Sequence, residues 1–478
     1  MATTAERIRR TSPAPGYNLL RVGWFRAVYL SFFFPYIVQA AILGVFVSLA
    51  VIGWGLSAPE GVQSKDFAKA SLVTLLIWGL WWPAMVWFAV LFGRIWCAVC
   101  PLELVANVTE RLGRRLNVKQ RTLRGWLRRG FLILASYALI QMLVTGIELH
   151  RVPAYTSIFL WGLLVLAAVV GLAYKDTAFC RGFCPVGLLL ATYGRGSMLA
   201  VRSAGREPCD NCSGKECRKG ANRRRWDARS CPSLLNPAKL NESSDCLICG
   251  QCVKACPPAN MGLYLRRPFH PADRRELAAT WAVTLFVMLV SGFVAYELFS
   301  EWKSAQAAFL WVPQTVARTT GLASFEGWIK GIWMLLVVPL GVWSVLGGLV
   351  LLFRGAGSLA EAWKRLALPL AVVIAAGQMA KGLAKFVSWG GYLPGALQDP
   401  RGTETALAIS AGQIDKPASL LSLAVVSVVS LMLLAAMAWF GIRESRLADP
   451  RTHRSRVPSI LLAAAASAYL IFGWGFLQ

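Results

Sequence analysis

Charge is scarce in this chain. Only 15% of its 478 residues are Asp, Glu, Lys or Arg, well below the ~25% of a soluble domain. Acid is scarcer than base: 24 Asp and Glu stand against 50 Lys and Arg. Histidine is nearly missing, with three copies. There is no C-x-x-C-H stretch, so no haem attachment motif. His150 alone of the three abuts an apolar run, which argues against a paired-His haem inside a membrane. Met-rich and His-rich tracts are absent too, which weakens a reading as a copper carrier. Cysteine is confined. All twelve lie between Cys97 and Cys256, and the last two hundred residues hold none.

What replaces charge is apolar length. Residues 27–59, 71–92, 130–147, 152–174, 277–296, 331–353, 417–442 and 457–478 contain no Asp, Glu, Lys, Arg or His. Most reach the ~20 residues that a membrane helix needs. A ninth run, from Leu366 to about Val387, is interrupted by Lys381 and Lys385. The first run is long and lacks a small-residue cleavage site, so it is expected to stay as a span, not to leave as a signal peptide. The expected fold is an all-α multi-pass membrane protein of about nine transmembrane helices, with a cytoplasmic two-cluster ferredoxin-like loop domain.

Basic residues orient such a bundle. With the amino terminus inside, the short inside segments carry 22 Lys and Arg against 8 outside, the long loop 175–276 being left out of the vote. This predicts a bacterial cytoplasmic membrane protein with its amino terminus in and its carboxyl terminus out. The domains follow: a cytoplasmic segment 1–26, a four-helix region 27–174, a cytoplasmic loop 175–276 and a five-helix region 277–478. The basic excess is read as topology and lipid-headgroup contact, not nucleic-acid binding. The stretch "SAQAAFLWVPQTVA" (304–317) is apolar and Pro-broken, and is read as a loop.

The cytoplasmic segments hold every cysteine, and a reducing compartment favours metal ligation over disulfides. "CLICGQCVKACPP" (246–258) spaces four cysteines as C-x2-C-x2-C-x3-C-P, the iron–sulfur string of a two-cluster ferredoxin. Cys209, Cys212, Cys217 and Cys231 form a second, looser group, C-x2-C-x4-C-x13-C-P. In two-cluster ferredoxins the Pro-adjacent cysteine reaches the other cluster. Cluster one is therefore expected on Cys209, Cys212, Cys217 and Cys256, and cluster two on Cys246, Cys249, Cys252 and Cys231. Zinc on the looser four is the structural alternative. The insertion "RKGANRRRWDARS" (218–230) is read mainly as a solvated charge run.

Two further pairs sit where spans are expected to leave the membrane: Cys97 and Cys100 in "GRIWCAVCPLEL", Cys180 and Cys184 in "CRGFCPVGLLL". Both end in Cys-Pro, both are expected on the cytoplasmic side, and their four thiols suffice for a third metal site. With these motifs residues 25–270 resemble the membrane-bound polyferredoxins of the NapH, NosR and CcoG kind, which combine several membrane helices, C-x3-C-P motifs and a double [4Fe–4S] segment. Cys180–Cys184 fits that spacing, and Cys97–Cys100 is one residue shorter. The resemblance implies electron transfer between the quinone pool, or a cytoplasmic donor, and a redox protein partner. The alternative it offers is a copper reductase or metal-centre assembly factor. The large flavin domain of the NosR kind is not expected here.

Ionisable groups within or beside spans are functional candidates. A quinol must lose protons as well as electrons, so Glu148 and His150 are singled out as a quinone site, with Glu148 as acceptor and His150 as relay. Glu297, Lys381 and Lys385 are expected to snorkel to the interface. A transporter or sensor role for the last five helices has least support, since no pair of broken helices is visible in the sequence.

Overall fold

The computed structural model describes residues 16–477, and 1–15 of the expected cytoplasmic segment lie outside them. It divides into two compact units. One combines residues up to Phe46 with Phe88–Arg129 and Leu163–Arg275; the other combines Val47–Trp87, Gly130–Gly162 and the chain from Glu276 onward.

Among the described residues, seven helices are long and apolar enough to cross a membrane: Leu72–Phe92, Pro153–Ala173, Trp281–Phe299, Ala323–Leu352, Leu359–Gly390, Leu423–Ala448 and His453–Phe476. Tyr36–Ile52 and Phe131–Gly146 stand where the first and third spans were expected, with 17 and 16 residues. Run 27–59 is thus not one helix. A helix over Gly23–Leu30 ends at Ser31, and the next begins after Pro35. Proline lacks the N–H that would continue the ladder and disfavours helical backbone in the residue before it.

The first unit carries all twelve cysteines. Its small sheet joins three antiparallel strands in the order β1 (Tyr17–Asn18), β3 (Met261–Leu265), β2 (Leu199–Ser203). β2 and β3 pair Leu199 with Leu265 and Ser203 with Met261, and the cysteine strings 209–231 and 246–256 fill the chain between them. Alternate strand residues Leu199, Val201, Met261 and Leu263 close on Tyr29, Ile248 and Cys252 as one apolar core. That core seats the 246–256 turn. Gly250 lies at φ +71°, and a Cβ there would stand 2.8 Å from the Tyr29 ring. Tyr29 Oη donates to the Ile248 carbonyl at 2.9 Å.

In the second unit the 32-residue helix Leu359–Gly390 is the centre, with 78% of its most apolar window buried. Leu423–Ala448, Trp281–Phe299 and His453–Phe476 pack around it. Small residues permit close approach, as in lipid-embedded bundles generally: a Cβ on Gly292 would collide with the Met334 carbonyl. Two buried indoles bond within the bundle. Trp343 Nε1 reaches Ser291 Oγ at 3.0 Å, and Trp474 Nε1 reaches the Leu298 carbonyl at 2.7 Å. The outward faces stay apolar, with Val345, Met432, Leu461 and Tyr469 exposed. Lipid is the solvent that such a surface suits.

The segment read as a loop at 304–317 is helical. Lys303–Thr319 forms one helix with Pro313 inside. The periodic apolar face, Phe309, Pro313 and Ala317, turns inward, and that burial outweighs the one lost backbone hydrogen bond.

Candidate metal centre

Cys100 caps the helix Pro101–Arg115, with Pro101 at its first position. A proline there spares an N–H that no helix uses and leaves the next ones free. The Leu102 and Glu103 backbone lowers the Cys100 thiol, against the rise that burial causes. The second Cys-Pro repeats the device, with the Val186 and Gly187 N–H groups on the Cys184 thiol. Such donors favour thiolate, and they tune a cluster when one is bound.

The thiols fall into three sets. Burial pushes the Cys100 thiol up, and the Cys184 and Cys97 thiolates raise it further. Burial also raises Cys180, with Glu103, Cys184, Cys100 and Cys97 adding to it. Cys184 is pushed up to about 12 by burial and Cys97. In the second set Cys217 rises to about 11 through burial, then Cys256, Cys209 and Cys212; Cys209 responds to burial, Cys256 and Cys212. In the third, burial takes Cys246 to about 11 and Cys249 to about 12, with Cys231 raising both. Cys252 goes well above its usual value through burial and then Cys246, Cys231 and Cys249. Thus Cys97/Cys100/Cys180/Cys184, Cys209/Cys212/Cys217/Cys256 and Cys231/Cys246/Cys249/Cys252 are each brought together.

Thiols gathered in fours invite a metal that takes them as thiolates. Among the described residues no three His, Cys, Asp or Glu side chains close on one ion-sized point. A single zinc needs its sulfurs about 2.3 Å from one centre, whereas each thiolate of an iron–sulfur cluster binds its own iron and the four stand wider apart. The donor chemistry, four cysteines to a set, suits an iron–sulfur cluster. All twelve cysteines are free thiols.

Charged residues that sequence reasoning passed over stitch the sets together. Arg94 is buried, faces the Cys97 thiol and donates from Nη1 to the Ser244 carbonyl at 3.3 Å, two residues before Cys246. Arg229 comes from the insertion read as a solvated run, yet it is 5% exposed. Its Nη2 meets Glu103 Oε1 at 2.6 Å, and Gln39 Nε2 takes the other Glu103 oxygen at 2.9 Å. The rest of the insertion is pinned too: Arg111 stacks 3.7 Å from the Trp226 ring and bonds the Arg224 carbonyl. The signal available was position alone: Arg94 precedes Cys97 by three residues, and Arg229 precedes Cys231 by two. Cys231 N donates to the Cys217 carbonyl at 2.9 Å, which joins the other two sets. Asn260 Nδ2 donates to Cys209 Sγ at 3.1 Å.

The ionisable residues singled out near the spans meet elsewhere, in the second unit. Glu148, His150, Glu297, Lys381 and Lys385 all line a cavity of about 280 Å³. Glu148 pairs with Arg151 at 2.6 Å. Lys381 does not snorkel. It pairs with Glu301, and with Glu297 at 3.7 Å, because a buried ammonium is costly unless a carboxylate meets it. Burial holds His150 well below its usual value, and Lys385, Arg151 and Lys330 push it the same way.

A 4Fe-4S binding domain family matches residues 74–119 and 155–204, the stretches that bear Cys97, Cys100, Cys180 and Cys184. The chain is 29% identical to the ferredoxin-type protein NapH of Haemophilus influenzae over 36% of its own length and 62% of the relative's. It is 26% identical to the methylamine utilization ferredoxin-type protein MauN of Paracoccus denitrificans, over 44% and 74%. It is 27% identical to NapH of Escherichia coli, over 36% and 62%. The chain therefore spans a little under two thirds of the NapH relatives' own length. No solved structure matches it. Thiol sets at the ends of apolar helices, an iron–sulfur family and these relatives agree in one respect: the chain is similar to membrane polyferredoxins of the NapH kind.

Proposed function

We propose that the chain is a three-cluster electron-transfer protein of the bacterial cytoplasmic membrane. It would pass electrons between the quinone pool or a cytoplasmic donor and a reductase or dehydrogenase partner. The observation that carries this is the gathering of twelve thiols into three sets of four within one compact unit. A [4Fe–4S] cluster on each set supplies one-electron exchange when bound. The protein's own part is placement. Arg94 and Arg229 hold the Cys97/Cys100/Cys180/Cys184 set beside the Cys231/Cys246/Cys249/Cys252 set. The Cys231–Cys217 backbone bond holds the latter beside Cys209/Cys212/Cys217/Cys256. The order is membrane-edge set, middle set, outer set. The family match over residues 74–119 and 155–204 supports counting the membrane-edge set as a cluster site.

Nine spans, with cysteines on the cytoplasmic side, remain the reading that the basic segments favour. The Glu148–His150 corner lies in the other compact unit, where Glu148 pairs with Arg151. We therefore place donor exchange, quinol included, at the thiol-bearing unit.

Protein purified without oxygen should carry about twelve iron atoms and as many acid-labile sulfides per chain, and menaquinol should bleach its visible absorbance. An iron count near eight would remove the membrane-edge cluster. A colourless, iron-free preparation would sink the whole reading.

A further inference from the structure

The cavity of the second unit has no part in the thiol chemistry. Its walls carry six Lys and Arg but three Glu. Each of those carboxylates is engaged by a neighbour: Glu148 by Arg151, Glu297 and Glu301 by Lys381. Positive charge is left over. Among the described residues, Lys385 and Lys330 form no ion pair and lie over rings instead, 4.8 Å from the Trp389 centroid and 5.5 Å from that of Tyr296. His150 Nδ1 has no hydrogen-bond partner. Uncompensated cations among apolar helices are unfavourable unless an anion joins them.

The backbone points to the same place. Leu75–Trp81 and Trp333–Val337 are π-helical stretches inside otherwise α-helical spans. Trp78 comes from the first and Met334 from the second, and both line the cavity. Each stretch runs just ahead of a proline, Pro83 or Pro339, whose ring crowds the carbonyl four residues back, at Gly79 or Leu335. Wider turns of this kind recur at functional sites. The pair of interrupted helices that the sequence did not disclose is therefore present, as π turns, and both border one cationic cavity.

We propose that this cavity binds a small oxyanion, of carboxylate, sulfate or phosphate chemistry, held by Lys385 and Lys330 against the indole wall. The site is independent of the electron-transfer reading. A neutral quinone head has no use for surplus charge, whereas an anion neutralises it. The cavity is large enough for a small organic acid or a partly hydrated inorganic ion, below the usual drug-sized range.

The test uses the full-length, oxidised protein in detergent. Its tryptophan fluorescence, to which Trp78, Trp82 and Trp389 of the cavity wall contribute, is titrated with sodium sulfate, sodium phosphate and sodium succinate, with sodium chloride keeping ionic strength constant. At least one is expected to give a saturable change. A response to sulfate or phosphate alone marks an inorganic ligand, and to succinate alone an organic acid. Lys385→Met and Lys330→Gln should each weaken it about tenfold or more, and Lys385→Arg should keep it, all with iron content unchanged as the check on folding. The proposal falls if none of the three saturates, if both neutral variants respond like the parent, or if menadione alone gives the signal.

Discussion

Arg229 and Glu103 show how much a single buried pair can carry. Their side chains are 6% and 2% exposed, and their 2.6 Å contact joins a residue beside Cys231 to the helix that Cys100 caps. Arg229 also faces the Cys249 thiol and favours its ionised form. A positive charge near a cluster stabilises its reduced state, so Arg229→Gln should lower the potential of the middle cluster, as read by an EPR-monitored redox titration. Removing one partner of a buried pair costs about 3–5 kcal/mol. Arg229→Ala should accordingly bring forward the denaturant midpoint at which iron–sulfur absorbance is lost, while Arg225→Ala, whose partner Asp227 is as exposed as itself, should leave it in place. None of this was visible beforehand, because a run of arginines looks alike in sequence whether its last member is solvated or enclosed.

Elements were easier to read where one physical signal dominated. Uncharged length located six of the seven long helices, and a run interrupted by Lys381 and Lys385 the seventh, since the hydrocarbon sets their length. Cysteine spacing proposed the ligand groups, since a cluster needs its thiolates from a short turn plus one distant residue. Signals in competition were harder to weigh. Pro35 divided a run that hydropathy joined, and the buried face of Lys303–Thr319 held a helix together across Pro313. Two glycines test the packing argument. Gly250→Val places a branched residue at φ +71° against the Tyr29 ring, so the middle cluster should be missing from EPR spectra while the protein still inserts. Gly292→Leu drives a side chain into the Met334 carbonyl and Pro339. It should destabilise the second unit by about 1–3 kcal/mol, seen as a lower thermal midpoint with iron retained.

At the scale of the molecule, labour is divided. One unit holds every thiol, the other a cationic cavity. Sequence separated these two chemistries by the confinement of cysteine to 97–256, but it could not show that Glu148, His150, Glu297, Lys381 and Lys385, scattered over two hundred residues, share one space. Orientation is checked from outside. In iron-depleted cells a membrane-impermeant maleimide should reach Cys209 and Cys212 only after the cytoplasmic face is opened, and labelling of intact cells would invert the proposed topology.

The hydroxyl of Tyr29 meets Ile248, and the ammonium of Lys254 reaches back to the Ser31 carbonyl at 2.7 Å. These contacts close a loop of more than two hundred residues, with several apolar helices threaded through it. During synthesis the early aromatic ring therefore waits for a stretch translated long afterwards. The apolar seat around Ile248 and Cys252 is therefore complete only once those intervening segments have been made.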